Sequence, residues 1–297
     1  MITILNQKSG KNWTFVHGDT RHMMHDLPAN SIDFSIYSPP FVDLFVYSDS
    51  AADLGNCKSD DEFFEQYSHI IAEKFRVTRP GRLSAVHCTD LPTRKFRDGF
   101  IGLKPFSDMI RQAHEDAGWY YHCKVTIWRD PVVEMQRTKA LGLLYKQLKK
   151  DSSMSRVGLA DYLLVFRKPG ENAQPITHDP REVPVELWQK WASPVWMDID
   201  QTNVLNGRCA RESDDERHIC PLQLDLIERA IHLWSNPGDA VLSCFGGIGS
   251  EGYAALKAGR KYIAAELKES YWRQGCKNLE TADATFSGGD LLSMMAG

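Results

Sequence analysis

Apolar residues recur every three or four positions in several separated stretches, and short runs of β-forming residues lie between them. Phe63, Tyr67, Ile70, Ile71 and Phe75 share one helical face. The capping box Ser59-Asp60-Asp61-Glu62 opens that helix, because its side chains can satisfy backbone N–H groups that the first turn leaves unpaired. Phe106, Met109, Ile110, Ala113 and Ala117 predict a second helix, ended by Gly118. Leu226, Ile227, Ala230, Ile231 and Trp234 predict a third, starting at Pro221, whose missing N–H costs nothing at a first helical position. A short helix over 250–258 and a last one over 269–279 complete the helical set. Strands are expected over 14–17, 31–37, 83–88, 121–128, 161–166, 240–245 and 261–267.

This alternation predicts an α/β protein: a doubly wound, Rossmann-like sheet, mostly parallel, with helices on both faces. The strands at 121–128 and 161–166 are separated by a long excursion, so an antiparallel edge hairpin is expected there. Residues 170–216 show no period and are rich in Pro, Asp and Trp, which predicts an irregular insertion. The whole of 1–297 is expected to be one catalytic domain, with inserts 129–160 and 170–216, and the polar tail 281–297 is expected to fray.

Composition narrows the class. At 42% hydrophobic and 25% charged residues the chain can bury a sizeable core. Its first ten residues lack a basic start followed by an apolar run, so no signal peptide is expected, and no stretch approaches the roughly 18 apolar residues of a membrane span. The cysteines Cys57, Cys88, Cys123, Cys209, Cys220, Cys244 and Cys276 lack close pairing, which argues against a disulfide framework or a metal site and fits a reducing compartment. Net charge is −4, but basic residues concentrate in 76–97 and 129–168 while 171–217 is acidic. A basic face on an acidic protein suits contact with a phosphate backbone. Arg129, Arg137, Lys139, Lys146, Lys149 and Lys150 are the first candidates for it.

Three polar or glycine-rich segments follow directly on strands: Gly18-Asp19, Ser38-Pro39-Pro40-Phe41 and Gly246-Gly247-Ile248-Gly249. In open α/β sheets such strand ends meet in one crevice. Gly247-Ile248-Gly249-Ser250-Glu251-Gly252 lets the backbone turn tightly against a ligand, and Glu266 ends the next strand, where a carboxylate can accept from ribose hydroxyls. With the glycine turn this late in the chain, a dinucleotide-binding domain would have to be permuted, an uncommon arrangement, so the order of the chain favours a single nucleoside pocket and S-adenosylmethionine over a dinucleotide. The Pro-Pro pair forces the chain out of the sheet after residue 37 and holds the Pro39 carbonyl rigidly. An aromatic amine is a poor nucleophile because its lone pair is delocalised. Ser38 and the Pro39 carbonyl can accept from its two N–H groups and draw the nitrogen toward tetrahedral geometry, while Phe41 stacks on the base.

With these segments in this order, the sequence resembles the DNA amino-methyltransferases, the N4-cytosine/N6-adenine group, in the permuted β arrangement. Ser38 to Phe41 matches the catalytic motif, (Asp/Asn/Ser)-Pro-Pro-(Tyr/Phe/Trp), and Phe245-Gly246-Gly247-Ile248-Gly249 the Phe-x-Gly-x-Gly donor motif. Gly259-Arg260, Glu266 and Tyr271 follow as in the family, and the resemblance spans about 15–279. It implies a methyltransferase sheet and S-adenosylmethionine as cofactor, held by Asp19, His218, Phe245, Gly246, Gly247, Gly249, Ser250 and Glu266, with no metal. Catalysis would fall to Ser38, Pro39, Pro40 and Phe41 on a base flipped out of double-stranded DNA. The family usually carries Asp-Pro where Ser243-Cys244 stand here, so a carboxylate is missing near the donor. Ser with Phe in the catalytic motif is commoner among the N4-cytosine enzymes, so cytosine is favoured and adenine is the alternative; an amino group of RNA or protein is a third substrate class. The resemblance further implies a bacterial or phage-encoded cytoplasmic enzyme of the restriction-modification kind, and it admits a homodimer.

Overall fold

The computed structural model describes residues 4–40, 54–57, 59–93, 95–138, 140–205 and 221–286. Along these residues the strands are β1 (Asn6–Ser9), β2 (Trp13–His17), β3 (Ile32–Tyr37), β4 (Thr78–Thr89), β5 (Leu91–Pro92), β6 (Leu103–Lys104), β7 (Tyr120–Ile127), β8 (Asp161–Arg167), β9 (Val195–Trp196), β10 (Ala240–Ser243) and β11 (Lys261–Glu266). The helices are α1 (Thr20–His25), α2 (Asp60–Val77), α3 (Lys95–Asp98), α4 (Phe106–Asp116), α5 (Pro131–Thr138), α6 (Tyr145–Lys150), α7 (Val185–Trp191), α8 (Leu224–Trp234), α9 (Ser250–Lys257) and α10 (Glu269–Phe286).

One sheet runs in the order β1-β2-β11-β10-β3-β4-β8-β7-β9. Strands β2, β11, β10, β3 and β4 are parallel, β8 is antiparallel to both β4 and β7, and β1 pairs antiparallel with β2. This is the doubly wound, mostly parallel sheet with an antiparallel edge hairpin. A central parallel strand is covered on both faces, and β3 is buried at every position. On one face Phe15, Phe34 and Ile36 pack with Leu226 and Ile231 of α8, Ala254 of α9 and Leu279 of α10. On the other, Val16 and Tyr37 pack with Met24 of α1, Phe63 and Tyr67 of α2 and Ile110 of α4.

The chain leaves β3 toward β4 on one side and β10 toward β11 on the other, so the order reverses between β3 and β10. That reversal opens a crevice beyond their carboxyl ends. The opposite end of the sheet is locked by charge. Arg82, 1% exposed, lies 3.1 Å from Asp239 and 3.4 Å from Asp33, and Asp33 also accepts from the backbone N–H of Ala240 at 2.9 Å. Three strand starts are thereby tied together, which leaves the loops at the other end free to form a site.

Several boundaries differ from expectation for identifiable reasons. Strand β4 begins at Thr78 and passes through Pro80-Gly81, where its register with β3 shifts and Gly81 N donates to Lys168 O at 3.0 Å. Helix α8 begins at Leu224, not at Pro221, and α10 continues to Phe286. The insertion is partly ordered: α7 precedes β9, which pairs in parallel with β7 and places Trp196 in the core. Neither leaves a periodic trace, because β9 is two residues long and α7 buries none of its side chains. The hairpin partner β1, exposed at all four positions, also lacks an apolar signal.

Candidate active site

A cleft of about 1290 Å³ lies over the switch point, and the ends of β2, β3, β4, β10 and β11 open into it. One end is made of backbone turns. Gly249 caps α9 with φ +82°, a left-handed conformation that glycine adopts without strain. Gly252 has no room for a side chain, since a Cβ would lie 2.4 Å from Leu279 and 2.5 Å from the Tyr262 ring. At Gly247, by contrast, a Cβ would meet nothing within 4 Å, so the turn presents bare backbone to the open cleft. The Gly247 N–H is held by Glu266 Oε2 at 2.8 Å, and the other Glu266 oxygen accepts from Lys268 N at 2.9 Å. Asp19, 3% exposed, caps α1 through Arg21 N at 2.8 Å and pairs with the Arg21 guanidinium at 2.6 Å. Ser250 and Glu251 continue the same wall from the first turn of α9.

At the end of β10, Ser243 Oγ donates to Phe245 O at 3.1 Å, and burial pushes the Cys244 thiol up to about 12. Neither residue brings a charge to the cleft. Glu251 does carry a carboxyl there: it is 5% exposed, and burial, reinforced by the charge of Glu266, raises it to about 8. A carboxyl with that value is substantially protonated at neutral pH and ionises when a cation arrives. The open turn and the carboxylates have the shape and charge to fit a cationic nucleoside such as S-adenosylmethionine.

The other end is made of side chains from three strands. Ser38 donates to the His87 carbonyl at 3.2 Å, and His87 Nδ1 lies 3.3 Å from Ser38 Oγ. His87 is 7% exposed at the end of β4, and its Nε2 faces Asp161 Oδ2 at 3.5 Å from the start of β8. Arg129 reaches Asp161 Oδ1 at 2.8 Å. Burial works against the Asp161 charge, but hydrogen bonding and charge from His87 and Arg129 outweigh it and lower its pKa. Asp161 therefore stays ionised, which favours a proton on His87 Nε2 and leaves Nδ1 able to accept from Ser38. Behind Ser38, Tyr37 is fixed in the core: its hydroxyl is 2.8 Å from Tyr67 Oη and takes a hydrogen bond from Lys74 Nζ at 2.7 Å. Lys74 is fully buried, within 2.8 Å of His114 Nε2, and burial lowers it to about 7. The Tyr37 ring meets Phe245 at 5.7 Å, so the strand carrying Ser38 and the turn carrying Gly247 are packed as one piece.

The structure thus brings together Asp19, Ser38, Pro39, Pro40, Phe245, Gly246, Gly247, Ser250 and Glu266 on one cleft, with Gly249 in the turn beneath. Phe41, His218 and Lys139 lie outside the described residues, as does the side chain of Arg137. Arg129, expected at the phosphate backbone, turns inward to Asp161 and is 15% exposed. Lys146, Lys149 and Lys150 stand exposed on α6. His87, Asp161 and Glu251 were not marked by the sequence; each is a polar residue at a strand end or first helical turn, and that position is the signal that would have found them. Among the described residues there is no His/Cys/Asp/Glu group able to hold a metal, and no helix is long and apolar enough to cross a membrane.

The N6/N4 DNA methylase family model matches residues 32–277. The adenine methyltransferase YhdJ of Escherichia coli K12 is 26% identical over 281 residues, covering 91% of this chain and 83% of that protein. The type II methyltransferase M.BglI of Bacillus subtilis is 30% identical over 175 residues, which are 58% of this chain but 42% of that protein. Among solved structures, Thermus thermophilus TTHA0409 in complex with S-adenosyl-L-methionine aligns at TM-score 0.66 and 21% identity, covering 91% of this chain and 93% of that one. The cytosine-N4-specific PvuII methyltransferase aligns at TM-score 0.63 and 15% identity over 96% of both. These two likenesses establish the fold.

Proposed function

The chain belongs to the N6/N4 DNA methylase family, and on that premise we propose that it transfers a methyl group from S-adenosylmethionine to the exocyclic amine of a DNA base, cytosine N4 in preference to adenine N6. The observation that carries the reading is the meeting of the Ser38-Pro39-Pro40 turn and the Gly247 turn in a single cleft. The bound donor supplies an electrophilic methyl group. Ser38 Oγ and the Pro39 carbonyl accept from the two N–H groups of the target amine and aim its lone pair at that methyl. As the N–C bond forms and the donor's S–C bond breaks, the surplus proton on nitrogen goes to Ser38 Oγ. The Ser38 hydroxyl proton passes to His87 Nδ1, and ionised Asp161, held by Arg129, stabilises the resulting imidazolium. Positioning and electrostatics do most of the work, with no covalent enzyme intermediate.

Exposed cations near the cleft support contact with a duplex. Lys146, Lys149 and Lys150 on α6 and Lys95 on α3 are exposed cations, and beside Lys95 the Phe96 side chain is fully exposed. Cations position a phosphate backbone without reading sequence, and apolar rim residues suit a duplex from which a base has left the stack. Every reaction residue named comes from one copy of the chain, so the reading holds for a monomer and for a homodimer alike. The preference for cytosine rests on Ser38; the adenine reading is favoured by the similarity to YhdJ. Incubation with unmethylated DNA, followed by mass spectrometry of the digested nucleosides, tests both. N4-methylcytosine supports the reading, N6-methyladenine transfers it to the second base, and the absence of both overturns it.

A further inference from the structure

Among the described residues six carboxyl side chains line the cleft, and five are engaged. Asp19 pairs with Arg21, Glu134 with Arg156, and Asp161 with Arg129. Asp90 accepts from Ser107 N at 3.0 Å, and Glu266 is taken up by the backbone N–H groups of Gly247 and Lys268. Glu251 differs: among the described residues no cationic side chain pairs with it and no side chain donates to it. It is nevertheless 5% exposed and sits two residues beyond the glycine that caps α9. Among the described residues, the elements packed around it add no positive charge. On β11 it faces Tyr262 and Glu266, and β10 ends in the neutral Ser243 and Cys244. The ion pair of Lys257 with Glu228 joins α9 to α8, away from the cleft, and Asn278 of α10 is spent on the Ile248 carbonyl at 2.8 Å.

A buried carboxyl facing a cleft, with the strand end beside it uncharged, is a cation site in search of its cation. Resting on the donor reading above, we propose that Glu251 binds the positively charged methionine end of S-adenosylmethionine, supplying from α9 the carboxylate that Ser243-Cys244 do not supply from β10. Its raised pKa accords with this: the carboxyl waits largely neutral and gives up its proton when the cation is seated. The ligand carries two positive groups, a sulfonium and an ammonium, and either is within the chemistry Glu251 offers.

The test is calorimetric binding of three ligands to the full chain and to its Glu251→Gln variant: S-adenosylmethionine, S-adenosylhomocysteine, which lacks the sulfonium, and 5′-methylthioadenosine, which lacks both charges. A charge-assisted contact is worth about a tenfold change in affinity or more. The proposal expects Glu251→Gln to weaken S-adenosylmethionine at least that much while 5′-methylthioadenosine binds as before. A loss shared by S-adenosylhomocysteine assigns the contact to the ammonium, and a loss confined to S-adenosylmethionine assigns it to the sulfonium. Unchanged binding of S-adenosylmethionine overturns the proposal, and so does an equal loss for all three ligands, which marks Glu251 as structural. If the unsubstituted chain binds none of them, the donor reading falls and takes the proposal with it.

Discussion

The two ends of the cleft are built by different means. At the donor end the shape comes from main chain: Gly247 and Gly249 at positive φ, the Gly252 contact with Tyr262 and Leu279, and carboxylates that clasp backbone N–H groups. At the target end it comes from side chains handed across three strands, Ser38 to His87 to Asp161 to Arg129, with a buried Lys74-Tyr37-Tyr67 cluster bracing the strand behind. Backbone turns recognise a ligand that is always the same. A chain of side chains instead tunes reactivity and can be interrupted one link at a time. Donor binding and methyl transfer should therefore come apart under mutation.

The strongest separation is expected from Gly249→Asp. A side chain at φ +82° strains the turn and adds a carboxylate to it, so donor affinity should fall by about a hundredfold or more in calorimetry. Ser38→Ala is the mirror case: transfer should slow by about a hundredfold, the lower range for a positioned proton-transfer group, with donor affinity within twofold of the parent. A donor affinity that fell together with the rate would erase the division between the two ends. His87→Gln keeps a polar group of similar size but cannot take up the proton. It should slow single-turnover transfer by about tenfold, less than Ser38→Ala because water can replace the base.

Smaller effects mark the limits of each end. Replacing Lys146, Lys149 and Lys150 with Gln should leave transfer at low salt near the parent value and reduce the slope of log affinity for DNA against log salt by up to about 3, one per lost phosphate contact. Lys74 contributes through stability. Its folded value of about 7 is below its ordinary value of 10.5, so between those two the unfolded chain binds more protons and stability rises with pH. Glu251, raised from 4.5 to about 8, has the opposite slope below pH 8. Comparing the parent with Lys74→Met cancels the Glu251 contribution. From pH 8 to pH 10 the parent should gain on the variant by up to about 1.4 kcal/mol per pH unit in urea unfolding, and a pH-independent difference would show that Lys74 is not neutral in the core.

What the sequence made legible follows the same division. The glycine turn and the Ser-Pro-Pro turn are contiguous, and each needs its residue types for backbone reasons, so they can be read in one dimension. The alternation of helical and strand periods likewise announced the parallel sheet and its antiparallel hairpin. The relay could not be read that way. His87 lies near the C-terminal end of β4 and Asp161 at the N-terminal start of its antiparallel neighbour β8, so they meet in space but lie far apart in sequence. Nothing local distinguishes them from polar residues that simply close a strand. Lys74 was hidden for another reason: it falls three and four positions after Ile71 and Ile70, on the apolar face of α2, but a lysine there reads as a side chain reaching out to solvent, whereas the packing of α2 against α4 buries it completely. Glu251 stood inside a recognised motif but read as an unassigned position, because its burial depends on β11, whose Tyr262 and Glu266 face it from across the turn.

The most direct measurement of the central claim is single-turnover transfer of a labelled methyl group to duplex DNA at saturating donor, comparing the parent chain with Ser38→Ala and identifying the product nucleoside. The account predicts label on an exocyclic amine, N4-methylcytosine in first place, formed about a hundredfold more slowly by the variant. Equal rates for the two proteins, or label on any position other than a base amine, would contradict it.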